Sequence, residues 1–172
     1  MGLNSAETPQ ERADLALAEL KRTNAFSRKL LVIATPTGTG WVDPASMIPL
    51  EVMTGGDVAS VSVQYSYLPS WLTLFVDPSY GEETAGKVFD TVYGYWRSLP
   101  RDQRPRLFLF GLSLGSLNSD LATDAYALLG DPFEGALWVG PPFASRTWAQ
   151  VTAGEPGPTI LTTFGIVAVP NA

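Results

Sequence analysis

The chain has no cysteine and no histidine. Lacking cysteine, it can form no disulfide, thiolate nucleophile or thiolate metal site, and its redox compartment leaves no mark on the sequence. The missing histidine matters more, because a serine hydrolase of the usual kind needs an imidazole to take the serine proton and return it to the leaving group. Positive charge is sparse too. Lys and Arg number 11 against 17 Asp and Glu, for a net charge of -6. Only 101 to 106 gathers several arginines, so no surface suited to nucleic-acid phosphates is expected. No apolar run reaches membrane-spanning length, and no charged leader precedes an apolar run. Neither anchor nor signal peptide is therefore expected, and the chain as expressed reads as cytoplasmic.

What is present is strongly apolar: 45% hydrophobic and only 16% charged residues, a composition that usually leaves some surface for a partner to cover. A chain of 172 residues suits a single domain over 1–172, with 155–172 as a divergent tail. Thr8-Pro9-Gln10-Glu11 carries a helix start: an N-cap, a proline at the first helical position and the glutamate of a capping box. The helix should run to about Thr23, with Ala13, Leu17 and Leu20 on one face. Buried-type strands are expected at 29–34 and 106–110, an alternating strand at 58–65 and a further strand at 135–142, closed by Pro141-Pro142. Between them lie a short helix or irregular crossover at 44–56 and a helix at 81–98 with Val88, Val92, Tyr95 and Trp96 as its stripe. After Ala144 the pattern loosens, and 159–169 reads as a last strand or an apolar tail. Strand and helix in alternation predict the α/β class, a three-layer sandwich with a mainly parallel sheet.

The strand at 106–110 runs directly into Gly111-Leu112-Ser113-Leu114-Gly115. A serine between two glycines at this spacing suits a sharp strand-to-helix turn that leaves the hydroxyl at its apex, a nucleophile elbow. Leu117, Leu121, Ala125 and Leu128 follow at helical spacing, which is the context the motif needs. Another loop, Thr35-Pro36-Thr37-Gly38-Thr39-Gly40-Trp41, follows an earlier core strand. It either turns backbone N–H groups toward a developing oxyanion or is simply a tight connection. Tyr65, Tyr67, Leu68, Trp71, Leu74 and Phe75 form an apolar cluster that serves as core beneath a loop, as an acyl-binding wall, or as both. Asp43, Asp120 and Asp124 flank the expected site. They are candidates for accessory acid/base work, or else solvated and capping carboxylates. Lys21, Lys29 and Lys87 lack the Ser-x-x-Lys spacing of an amine base.

Five segments together carry a resemblance: Gly-Leu-Asn-Ser-Ala at 2–6, Thr-Pro-Thr-Gly-Thr-Gly-Trp-Val-Asp-Pro at 35–44, Gln-Tyr-Ser-Tyr-Leu-Pro-Ser-Trp at 64–71, Phe-Gly-Leu-Ser-Leu-Gly-Ser at 110–116 and Leu-Trp-Val-Gly-Pro-Pro at 137–142. In that order they resemble the α/β-hydrolase catalytic domain of a bacterial family of predicted membrane-linked serine hydrolases, over about residues 2–155. The resemblance implies a partial α/β-hydrolase fold and an esterase- or lipase-like site. Ser113 would be the nucleophile and the Leu114 N–H one oxyanion donor. Thr37 or Gly38 would supply the second, since Pro36 has no N–H. Three departures stand out. Leu112 occupies a place where relatives often carry an acidic residue, 2–6 looks like the end of a strand whose start is missing, and the likeness fades after Gly154, before the triad acid and histidine. Truncation at both ends is the expectation these features support.

Two functions follow. One is a carboxylic ester hydrolase acting on short acyl chains through Ser113, with no metal or cofactor. Its oxyanion hole alone can sustain about 10³ to 10⁴ over water in the serine proteases where a triad has been removed. The other is a noncatalytic hydrolase scaffold serving binding or assembly. In either case an unpaired sheet edge would favour homo-oligomers.

Overall fold

Five parallel strands form one sheet in the computed structural model, which describes residues 1–69, 72, 78–123, 131–152 and 167–169. They are β1 (Leu30–Thr35), β2 (Val58–Val61), β3 (Arg106–Leu112), β4 (Gly135–Val139) and β5 (Val167–Val169). Their spatial order is β2-β1-β3-β4-β5, so β3 lies at the centre. The helices are α1 (Pro9–Arg22), α2 (Pro44–Met53), α3 (Pro78–Ser98), α4 (Leu114–Ala122) and α5 (Arg146–Thr152). This is the α/β architecture with a parallel sheet that the alternating pattern predicts. Among the described residues no helix is long and apolar enough to cross a membrane.

Alternation along the strands assigns the two faces. Leu31 and Ile33 of β1, Leu107 and Leu109 of β3, and Ala136 and Trp138 of β4 enter one core with α1 and α3. Val32, Ala34 and Phe110 point the other way, toward Met47 and Leu50 of α2. Every residue of β1 after Leu30 is buried, as a strand covered on both faces requires. The α1 start is the expected capping box: the Thr8 hydroxyl accepts from the Glu11 N–H at 3.2 Å, and the Glu11 carboxylate accepts from the Thr8 N–H at 3.0 Å.

Several extents differ from the sequence reading, the strand expected at 135–142 ending at Val139 among them. The second strand stops at Val61 rather than 65. Beyond it the Met1 ammonium donates to the Ser62 carbonyl (2.7 Å) and the Gln64 N–H donates to the Met1 carbonyl (2.9 Å), so this backbone is satisfied by the N-terminal segment instead of a sheet neighbour. α4 ends at Ala122 because Thr123 turns to extended backbone; Ala125 and Leu128 lie outside the described residues, as do Asp124, Trp71, Leu74 and Phe75. Where the pattern loosened, Ser145 opens α5, its hydroxyl accepting from the Trp148 N–H. Val167–Val169 pairs with β4 as a last strand.

Strand order also locates a crevice. The chain leaves β1 toward β2 on one side and leaves β3 toward β4 on the other. In open α/β sheets, ligands bind beyond the carboxyl ends of two adjacent strands whose connections diverge in this way. Here that position lies between the loop after Thr35 and the turn after Leu112.

Candidate active site

Ser113 stands at the apex of that turn with φ 53° and ψ -123°, one of two non-glycine residues with positive φ among those described. A side chain pays about 1–3 kcal/mol to hold such backbone, so it persists only where packing over-determines it. The two glycines show how. A Cβ on Gly111 would lie 2.6 Å from the Gly115 carbonyl oxygen and 2.6 Å from the Ser116 Cα, both backbone atoms of α4. A Cβ on Gly115 would lie 2.7 Å from the Pro36 carbonyl oxygen. The spacing Gly-x-Ser-x-Gly is therefore required by contact: the first glycine lets α4 fold back over β3, and the second lets it press against the end of β1.

Hydrogen bonds hold the bend. The Ser113 N–H donates to the Val139 carbonyl (2.8 Å), tying the turn to β4. The Ser113 carbonyl accepts from the N–H groups of Ser116 (2.9 Å) and Leu117 (3.3 Å) and from the Ser116 hydroxyl (2.5 Å). The Ser113 side chain is partly exposed and caps nothing. Beneath it, Leu114 and Leu117 pack on Tyr65. Leu114 opens α4, where backbone N–H groups have no partner within the helix and carry the positive end of its dipole. Among the described residues nothing accepts from the Leu114 N–H.

The loop after β1 faces this turn. Thr35 is in register with Gly111, and adjacent strands lie about 4.8 Å apart, so the loop begins beside Leu112 and Ser113. Its own hydrogen bonds correct one expectation. The Thr37 N–H donates to the Trp41 carbonyl (3.0 Å), and the Gly40 N–H donates to the Thr37 carbonyl (2.9 Å). Thr37 therefore closes the loop on itself, while Gly38 takes the first central place of the turn it makes and is buried.

Of the three carboxylates named from sequence, the two described ones are engaged as caps. Asp43 opens α2, accepting from the Ala45 N–H (3.1 Å) and the Ser46 hydroxyl (2.8 Å). Asp120 accepts from the hydroxyls of Ser145 (2.8 Å) and Thr147 (2.5 Å), which fastens α4 to the start of α5. Seven residues along the chain from Ser113, it sits about 10 Å farther along the helix axis. The apolar cluster divides: Tyr65 is buried core, whereas Tyr67 is 59% exposed. Burial pushes the Tyr65 hydroxyl above the usual tyrosine range, with the Asn118 amide opposing. Ser116, Gln64 and Asn118 were missed from sequence, where single polar residues in apolar segments carry no distinguishing pattern. Among the described residues no three acidic side chains gather as metal ligands. A cavity of about 340 Å³ lies against the α2 face, but its lining on β3 stops at Phe110 and does not reach Ser113.

Comparison with known proteins bears on this geometry. A family described as the alpha/beta-hydrolase family matches residues 1–162. The chain belongs to the alpha/beta-hydrolase family. No curated protein matches this hydrolase chain. Among solved structures it is similar to a chain described with LipS and LipT, two metagenome-derived lipolytic enzymes. That similarity has 17% identity and a TM-score of 0.39, covering 78% of this chain and 51% of the other. The hydrolase chain thus spans about half the length of the solved chain it matches.

Proposed function

We propose that this alpha/beta-hydrolase chain cleaves carboxylic esters with Ser113 as nucleophile, the Leu114 N–H as one oxyanion donor and the loop after β1 as the source of the second. The observation that carries the reading is the backbone of Ser113, held at positive φ by two glycines whose Cβ positions are occupied by neighbouring backbone. Strain of this kind costs stability, and here it falls on the residue that precedes a helix N-terminus, where an oxyanion would be stabilised. An apolar rim suits an acyl substrate: Trp41 after β1, Tyr67 after β2 and Phe143 after β4 are 48%, 59% and 97% exposed. Short acyl chains and self-association through sheet edges belong to the same reading.

In the attack, the Ser113 oxygen adds to the ester carbonyl carbon and gives its proton to a base. The adduct collapses with cleavage of the C–O bond to the alcohol, which leaves with a proton, and water then hydrolyses the acyl-serine to free acid and serine. The sequence holds no imidazole, and Asp43 and Asp120 are engaged in hydrogen bonds; the acceptor in this reading is water, with slow turnover as the consequence. A fluorophosphonate probe with mass spectrometry tests this. Stoichiometric labelling of Ser113, and loss of p-nitrophenyl acetate hydrolysis in Ser113→Ala, are expected; an unlabelled wild type ends the proposal. The zero count of histidine favours a second reading, a scaffold that binds acyl ligands without turning them over. A thermal shift with a small acyl ligand and no phosphonate labelling would establish it.

A further inference from the structure

Gln64 lies on neither of the elements that form the crevice, yet its side chain reaches the loop facing Ser113. Its amide nitrogen donates to the Thr39 carbonyl (3.0 Å) and to the Ser66 carbonyl (3.0 Å). Its amide oxygen accepts from the Leu3 N–H (3.3 Å). Both hydrogens of the NH₂ group are thus committed. The stem is used as well. Gly40, at φ 88°, packs against it so closely that a Cβ there would fall 2.8 Å from the Gln64 Cγ. Two contacts that hold the loop are Pro36 against Gly115 of α4, and Thr39 with Gly40 against Gln64.

From this we infer that Gln64 is a positioning residue for the oxyanion side of the site, setting the distance between the 36–41 loop and the nucleophile turn. The inference rests on the reading of Ser113 as nucleophile. Its physical basis is that a loop fixed at only one end can swing, and a displacement of about 1 Å between catalytic groups costs about a hundredfold in rate. A lost oxyanion donor costs a similar factor. The Thr37–Trp41 and Gly40–Thr37 hydrogen bonds join the loop to itself, so they do not take over the link that Gln64 makes to the segment after β2.

The test compares wild type, Gln64→Leu and Gln64→Glu by two readouts. One is the rate constant for fluorophosphonate labelling of Ser113, and the other is backbone hydrogen exchange at 37–41 and at 111–117. Gln64→Leu keeps the stem and removes the donors. It should exchange at least about tenfold faster at 37–41, leave 111–117 protected, and label about ten- to a hundredfold more slowly. Gln64→Glu covers the case in which Gln64→Leu does not fold. Ionised, it presents only acceptors to the Thr39 and Ser66 carbonyls; protonated, it regains one donor. Its labelling rate relative to wild type should therefore rise as pH falls from 7 to about 4.5. Labelling within twofold of wild type for either folded variant overturns the inference, as does a loss for Gln64→Glu that does not change with pH. If wild type is not labelled at all, the nucleophile reading fails instead, and unchanged exchange at 37–41 in the variants would then overturn the loop anchor separately.

Discussion

Replacing Gly115 by alanine tests the contact on which the site geometry depends. Gly115 lies in the first turn of α4, and at an open helical position this exchange stabilises by about 1 kcal/mol. Gly94 in α3 is such a position, with no atom within 4 Å of where its Cβ would stand. At Gly115 the added carbon would instead meet the Pro36 carbonyl oxygen at 2.7 Å and the Pro36 carbonyl carbon at 3.0 Å, and the Thr35 carbonyl oxygen closer still. These are backbone atoms that cannot rotate aside. Overpacking a well-filled site costs about 1–3 kcal/mol. Taking the upper end, because three backbone atoms are involved, and subtracting the helix-propensity gain leaves a net loss of about 2 kcal/mol. For a domain of this size that lowers the melting temperature by about 4–8 °C, while Gly94→Ala should raise it by about 2–4 °C. Thermal unfolding followed by circular dichroism reads both. Because the clash pushes the 36–41 loop away from the turn, phosphonate labelling of Gly115→Ala should also slow by about a hundredfold at temperatures where it remains folded. If Gly115→Ala melts at or above wild type while Gly94→Ala is stabilised, α4 does not press on β1 as described and the reasoning fails.

Other outcomes follow from the same packing. Ser113→Gly should be more stable than Ser113→Ala by about 1 kcal/mol, the reverse of the ordinary order, because the positive φ penalises any Cβ more than glycine loses in chain entropy; equal melting temperatures would show an unstrained turn. Asp120→Asn should destabilise by about 2 kcal/mol through weakened bonds to Ser145 and Thr147, yet keep Ser113 labelling in the folded protein, and a lost label with unchanged melting would make Asp120 an acid/base after all. The Tyr65 hydroxyl has its pKa raised by burial, so the folded state holds its proton where the unfolded chain has released it. That contribution is complete below about pH 10 and is lost as pH rises beyond it. Tyr65→Phe should flatten this alkaline fall in stability, as urea unfolding at pH 9 to 11 would show; an unchanged slope would contradict the burial argument.

A good part of this architecture is written in the amino-acid sequence. Much of the scaffold was legible there because local patterns decide it. Thr8 and Glu11 cap α1 through neighbours three residues apart, and the apolar runs of β1 and β3 are long enough to be buried on both faces. The Gly-x-Ser-x-Gly turn was legible for the same reason, since its demands fall within five residues. The limits of the second strand and of α4 were not, because they depend on the bonds to Met1 and on the extended backbone of Thr123.

Sequence alone therefore determined that Ser113 stands between a core strand and a helix, and that no histidine or cysteine of this chain can assist it. Tertiary structure decided which groups meet that serine. Thr37 spends its N–H on Trp41, Asp43 and Asp120 are held as caps, and Gln64, 49 residues before Ser113 in the numbering, anchors the facing loop. The physical reason is that hydrogen-bond partners and Cβ clearances across a sheet are set by strand order and register, which no local window of residues contains.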